Sequence, residues 1–206
     1  MGYHRAGFEV VGVDNKPQPH YPFEFILGDA LHIMDNLLRG APLFRKEGDY
    51  YLSDFDAYHA SPPCQAYVRM RHLPWLKDKK YPMLIDAVRE KLKATDKTWV
   101  IENVKPYYEP LIKAQGCGRH VFWANFFISK KRIDYDIGTM NRQASKISQR
   151  KAIIREAQIP ELTDLHGFNL DRFSLPNKRQ VLRNTVLPEL GLHIFKMAFK
   201  DQQETL

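Results

Sequence analysis

Apolar positions in this chain fall into short runs separated by stretches with helical spacing. Phe8-Glu9-Val10-Val11-Gly12-Val13-Asp14 predicts a strand ending on a carboxylate, and Asn15 to Pro22 then reads as a loop. Phe25-Ile26-Leu27 predicts a second short strand closed by Gly28-Asp29, and Leu31 to Leu38 carries helical spacing. Phe55 to Ala60 predicts a strand that runs directly into Ser61-Pro62-Pro63-Cys64. Pro82 suits the first position of a helix, with Leu84, Val88 and Leu92 recurring at four-residue steps behind it. Thr98-Trp99-Val100-Ile101 predicts a strand ending at Glu102-Asn103, and the apolar run Val121 to Ile128 predicts a longer one. Residues 130 to 165 are polar and basic, with a helix expected over Ser145 to Ala157. Pro188 opens a last helix, with Leu190, Ile194 and Ala198 along one face.

Strands alternating with helices predict an α/β fold with a parallel sheet. In such sheets ligands gather beyond the carboxyl ends of the strands. Asp14, Asp29, Cys64 and Glu102 all fall at predicted strand ends, so the pattern brings four polar groups toward one crevice.

Composition narrows the setting. The 206 residues suffice for one domain with a sizeable core, and an apolar share of 44% is that of a globular chain. No run approaches the roughly 18 apolar residues of a membrane span, and Met1 to Arg5 lacks the apolar stretch of a signal peptide. Two cysteines, Cys64 and Cys117, make no disulfide framework and point to a reducing compartment. A net charge of +7 favours an anionic partner, nucleic acid being the usual one. The basic residues gather at 69–80, 130–132, 142–155 and 178–183, where a solvated basic face is the alternative.

Candidate chemistry centres on Cys64 and Glu102. Pro62-Pro63 fixes the loop backbone before Cys64. A thiolate is both a strong nucleophile and a competent leaving group. A carboxyl group raised toward neutral pKa by burial can donate a proton to a ring as charge builds there. The structural alternatives are a small buried hydrophobe for Cys64 and a helix cap or surface pair for Glu102.

Ser61-Pro62-Pro63-Cys64-Gln65 resembles the catalytic loop of the DNA (cytosine-5) methyltransferases, and Glu102-Asn103-Val104 resembles that family's second signature. The resemblance implies a Rossmann-like, S-adenosylmethionine-dependent enzyme that flips cytosine out of duplex DNA. In that reading Cys64 attacks C6, Glu102 contacts N3, and Pro63, Gln65 and Asn103 hold the base. Gly7 to Asp14 is similar to the family's second cofactor strand, which places Asp14 and Asn15 at the ribose. Gly28-Asp29-Ala30 resembles the adenine motif. Leu84 would touch the adenine ring, with plain helix core as its alternative. Asn184-Thr185-Val186 resembles the unit that closes on the methionine end, an ordinary helix cap being the alternative for Asn184. Leu165-His166-Gly167-Phe168 looks like the motif supporting the recognition region.

The match has departures. The family's opening strand and its Phe-x-Gly-x-Gly turn have no counterpart, so the expectation is a sheet without its first strand: a start assigned at an internal Met, or a remnant. Arg119, the third implied catalytic group, stands one place off the register of the family's Arg-x-Arg. Residues 1–128 would form the catalytic core, 129–164 a short target-recognition segment, and 165–206 the returning C-terminal motifs. Within that segment Arg142, Lys146, Arg150, Lys151 and Arg155 would meet phosphates. The implied setting is a monomer in a prokaryotic or phage-like cytoplasm, with double-stranded DNA and a cognate restriction endonuclease as partners, and no metal or membrane. Three alternatives stay open: an inactive DNA-binding remnant, a transfer-RNA cytosine-5 methyltransferase, and a nucleotide-level C5 enzyme. Glu102-Asn103-Val104 and Asn184-Thr185-Val186 argue against the last.

Overall fold

Near the start a short helix precedes a strand that is three residues shorter than expected. The structure, a computed structural model, describes residues 1–45, 48–76, 78–118, 120–131, 158–175 and 177–200. Helix α1 (Gly2–Arg5) turns at Gly7, whose φ is 92°, and the Phe8 amide closes the turn on the Tyr3 carbonyl at 3.2 Å. Strand β1 therefore covers only Val11–Asp14, and the expected start at Phe8 is corrected: its ring packs instead on Phe195 and Phe199. Strand β2 (Glu24–Leu27) pairs with β1 in parallel, and helix α2 (Ala30–Leu38) follows with Asp29 as its cap.

Strand β3 (Ala57–Ala60) leads into the Cys64 loop. Helix α3 (Ile85–Lys93) begins three residues later than the Pro82 position suggested. The Tyr67 hydroxyl accepts the Ile85 amide at 3.0 Å, which satisfies one of the unpaired first-turn donors. Strand β4 (Thr98–Val104) includes Glu102 and Asn103 and runs one residue beyond the expected end. Its alternating side chains serve two layers. Trp99 and Ile101 pack with Ile85 and Leu92 of α3, while Val100 packs with Phe122 on the opposite face.

Two strands depart from the parallel expectation. Strand β5 (Gln115–Cys117) was not foreseen, and it forms an antiparallel pair with β6 (His120–Ala124) after Gly118, whose φ is 61°. That turn sends β6 back along β4 antiparallel, so the four-stranded sheet β3-β4-β6-β5 is mixed. The apolar run predicted as one strand to Ile128 stops at Ala124. Asn125 ends it by accepting the Trp99 amide at 2.8 Å and donating to the Lys97 carbonyl at 2.9 Å. Strands β1 and β2 form a separate two-stranded sheet. The chain is thus mixed α/β with a small mixed sheet.

The C-terminal part begins with helix α4, described over residues 158–166, then α5 (Lys178–Asn184) and α6 (Pro188–Ala198). The Gln158 side-chain oxygen accepts from Arg179 at 2.8 Å and from Arg183 at 2.9 Å, tying α4 to α5. Proline at the first position and buried Leu190 and Ile194 make α6 the helix expected from the sequence. It covers the second face of the sheet, so β4 lies between α3 and α6. The expected helix over Ser145 to Ala157 lies outside the described residues.

Helix α1 rests on the start of α6 through two glycines. A Cβ on Gly2 would lie 2.4 Å from the Pro188 carbonyl oxygen and 2.9 Å from the Leu192 amide nitrogen, both rigid backbone. At Gly191 the nearest atom to an added Cβ is 3.6 Å away. Gly2→Ala should therefore lift α1 from α6, with a cost on the order of 1–3 kcal/mol from overpacking. Gly191→Ala should keep or raise stability, since alanine suits a helix interior. Urea unfolding and amide hydrogen exchange at residues 3–8 check both outcomes.

Candidate active site

The loop after β3 is held at several points. Pro63, with φ −49° and ψ 124°, precedes a single helical turn of Cys64–Ala66, and the Tyr67 amide donates to the Cys64 carbonyl at 2.9 Å. Asn103 of β4 donates its side-chain amide to the Pro62 carbonyl at 2.9 Å, and its side-chain oxygen accepts the Val104 amide at 3.0 Å. Arg71 donates to the Ala66 carbonyl at 3.1 Å. The prolines restrict the loop; Asn103 binds it to the central strand. Cys64 is half-buried there, while Pro63 and Gln65 are exposed.

Glu102 is buried, and its Oε1 contacts Nδ1 of His120, which is buried as well. The register explains the pair. Glu102 stands opposite Phe122 and His120 opposite Val104, so the two are diagonal neighbours on one face of antiparallel strands. The imidazole donates from Nδ1 to the carboxylate.

A second hydrogen-bonded chain flanks the loop. The Tyr3 hydroxyl meets Nδ1 of His59, and Nε2 of His59 lies 3.0 Å from the Ser61 hydroxyl. Crowding by protein lowers the His59 pKa to about 4, and the charge of Glu102 opposes that shift. The ring keeps an exposed edge, so water softens the penalty; the imidazole is neutral at pH 7. Burial first, and then the Glu102 charge, push the Tyr3 hydroxyl well above its ordinary range. A protonated Tyr3 therefore donates to Nδ1, which leaves the proton on Nε2 to be donated to Ser61.

Burial raises the Cys64 thiol above its ordinary pKa; a hydrogen bond with its own backbone opposes this, and the Glu102 charge adds to it. No hydrogen bond joins the thiol to the carboxylate among the described residues, so Glu102 acts on Cys64 through space. Tyr3, His59 and Cys64 all feel that one carboxylate. Sequence reasoning gave Cys64, Glu102 and Asn103 but assigned no role to Tyr3, His59 or His120. The available signal for His59 was its place two residues before Ser61, where strand periodicity sets it on one face with Ser61.

The other expected residues fall into separate places. Asp14 and Asp29 stand at the ends of β1 and β2, linked by the Gly28 amide donating to the Asp14 carbonyl at 2.9 Å. Asp14 accepts from the Lys16 amide at 2.9 Å and from Gln18 at 3.3 Å; Asn15 is exposed beside it. Asp29 caps α2 through Oδ1, which accepts the Leu31 and His32 amides, and Ala30 is the first residue of that helix. Leu84 is half-buried just before α3. Asn184 ends α5 and is exposed; the cap of α6 is Leu187, which corrects the reading of Asn184 as that helix's cap. The Thr185 hydroxyl bonds back to the Val181 carbonyl at 2.8 Å, and Val186 packs on the α6 core. No hydrogen bond links Asn184 to Val186 with either carboxylate group among the described residues. Arg119, and the basic residues 142 to 155, lie outside the described residues.

Among the described residues no helix is long and apolar enough to cross a membrane, and no group of three or more His, Cys, Asp or Glu side chains is placed to hold a metal ion. No family model matches this chain, and no match was found among curated proteins or solved structures.

The through-space coupling has a direct readout. Glu102→Gln removes a negative charge near Cys64, so the thiol pKa should fall and alkylation by iodoacetamide near pH 8 should speed up. Peptide mass spectrometry separates Cys64 from buried Cys117. Unchanged or slower alkylation of Cys64 in a folded variant would contradict the coupling.

Proposed function

We propose that this chain is a DNA (cytosine-5) methyltransferase in which Cys64 is the nucleophile and Glu102 the acid. The observation that carries the reading is the Asn103 to Pro62 hydrogen bond, which makes the cysteine loop and the Glu102 strand one unit. The net charge of +7 suits a polyanionic substrate.

The chain's residues divide the work. Cys64 adds to C6 of a cytosine flipped from the stack, because a thiolate cannot reach C6 inside a duplex. The Cys64 thiol gives up its proton to solvent as sulfur adds, and the Glu102 carboxylate relays one from solvent to N3, so the C5=C6 electron pair becomes an enamine pair at C5. His120 holds the Glu102 carboxyl in place, and Pro63, Gln65 and Asn103 shape the loop against the base. After methylation the C5 proton passes to water, the S–C6 bond breaks to return the Cys64 thiolate, and N3 gives its proton back to Glu102.

The donor set fits the adenosine part of S-adenosylmethionine, which supplies the methyl group when bound. Asp14 ends β1 with, among the described residues, the Lys16 amide and a long Gln18 contact on its carboxylate, so it is able to accept two ribose hydroxyls. Asp29 uses one oxygen as a cap and keeps the other for an exocyclic amine. Asn184, Thr185 and Val186 are assigned to the methionine end, and Leu84 to the adenine ring, on the motif resemblance alone. Arg119 is assigned to the flipped base on the same ground, and residues 129–164 to target recognition.

Transfer of labelled methyl groups from S-adenosylmethionine tests the reading, with duplex DNA and transfer RNA as parallel acceptors. Methylated C5 of cytosine in DNA is the expected product. Cys64→Ser should cut the rate by at least about a thousandfold while DNA binding persists. Covalent trapping on 5-fluorocytosine DNA should vanish with it. Trapping that survives Cys64→Ser would place the nucleophile elsewhere; transfer to RNA alone would reassign the substrate.

A further inference from the structure

A cavity of about 540 Å³ among the described residues lies away from Cys64, at the opening end of β4. It has the size of a small-ligand site. Four cations from three segments line it: Arg89 and Lys93 on α3, Lys97 before β4, and Lys113 before β5. Asp96 is the one acidic residue lining it. Glu90 pairs with Arg89 at 3.0 Å and with Lys93 at 3.4 Å, so one carboxylate is shared by two cations. Lys97 reaches only the Ser53 carbonyl, at 3.3 Å, and Lys113 has no ion-pair partner among the described residues. Nε of Arg89 is buried without a hydrogen-bond partner. The cavity therefore holds an excess of positive charge that the described residues do not neutralise.

Its remaining wall is apolar and fixed. Trp99, Trp123 and Ile112 line it, and the Trp123 indole is held by donating to the Ile112 carbonyl at 2.9 Å. The two amide side chains present, Gln115 and Asn125, are already used. Gln115 donates to the Phe126 carbonyl and accepts the Ile128 amide, and Asn125 binds both Trp99 and Lys97. Neither has a full set of groups left for reading the edge of a heterocycle.

We propose that this cavity binds a phosphomonoester of nucleotide size, recognised by its charge and its ring rather than by its base identity. A dianionic phosphate meets the unneutralised lysines, and the apolar wall takes the attached ring. A terminal phosphate carries more charge than an internal diester, so a strand without a terminal phosphate is the weaker ligand. The assignment is independent of the methyltransferase reading.

Calorimetry on the full chain tests it, with the four nucleoside 5′-monophosphates, an unphosphorylated nucleoside, and a short oligonucleotide lacking terminal phosphates. A Trp75→Phe variant leaves Trp99 and Trp123 as fluorescence reporters. Saturable binding of all four monophosphates within a few-fold of each other is expected, with the nucleoside and the oligonucleotide at least tenfold weaker. The pair Lys93→Gln and Lys113→Gln should weaken the monophosphates at least tenfold, while Cys64→Ser leaves them unchanged. No saturable binding, equal binding of the nucleoside or oligonucleotide, or indifference to the lysine changes would each overturn the proposal.

Discussion

A carboxylate placed on a buried central strand has to be compensated, because removing an ion from water costs several kcal/mol even after relaxation. In this chain the compensation for Glu102 comes from His120, one strand away. That contact exists only because β6 runs antiparallel to β4, which sets residue 120 diagonal to residue 102 on the same face. A parallel neighbour would offer a different register and no such diagonal pair. The hairpin of β5 and β6, and the left-handed backbone at Gly118 that starts it, are therefore prerequisites of the site. The same strand carries the hydrophobic layers on both sides, so the fold and the charge share one support.

Coupling extends outward from that strand. Asn103, adjacent to Glu102, points to the other face and ties down the cysteine loop. Strand β3 lies parallel beside β4, with His59 opposite Val100, and presents its imidazole between Tyr3 and Ser61. Tyr3 in turn sits on Phe195 of α6, with ring centroids 4.0 Å apart. A short helix that could not be stable alone is held because Gly2 allows it to approach the α6 backbone. Helices α1 and α6 thereby meet, and Tyr3 reaches His59 beside Ser61.

Much of this was legible, and the misses have physical causes. Short apolar runs located β1 to β4, and proline with four-residue spacing located α6, because those signals are local. Boundaries moved where a distant group intervened: Tyr67 satisfies the Ile85 amide, Asn125 cuts short the apolar run, and Gly7 turns the chain before β1 can begin. Strand β5 is three residues long and contains a glycine, so it carries almost no pattern of its own. Cys64 and Glu102 were visible as motifs with a chemical rationale. His59 and Tyr3 were not, since their partnership spans 56 residues and depends on α1 meeting β3.

The electrostatics of the site bear on when its thiol can react. Burial and a neighbouring carboxylate both favour the neutral thiol of Cys64, the reverse of what a permanently activated cysteine shows. Neutralising Glu102 removes one of those two effects. If a ring nitrogen holds a proton shared with Glu102, the charge opposing thiolate formation is withdrawn at the moment the ring is in reach of sulfur. Reactivity would then be conditional on the occupant, and the resting protein would be guarded against adventitious alkylation and oxidation.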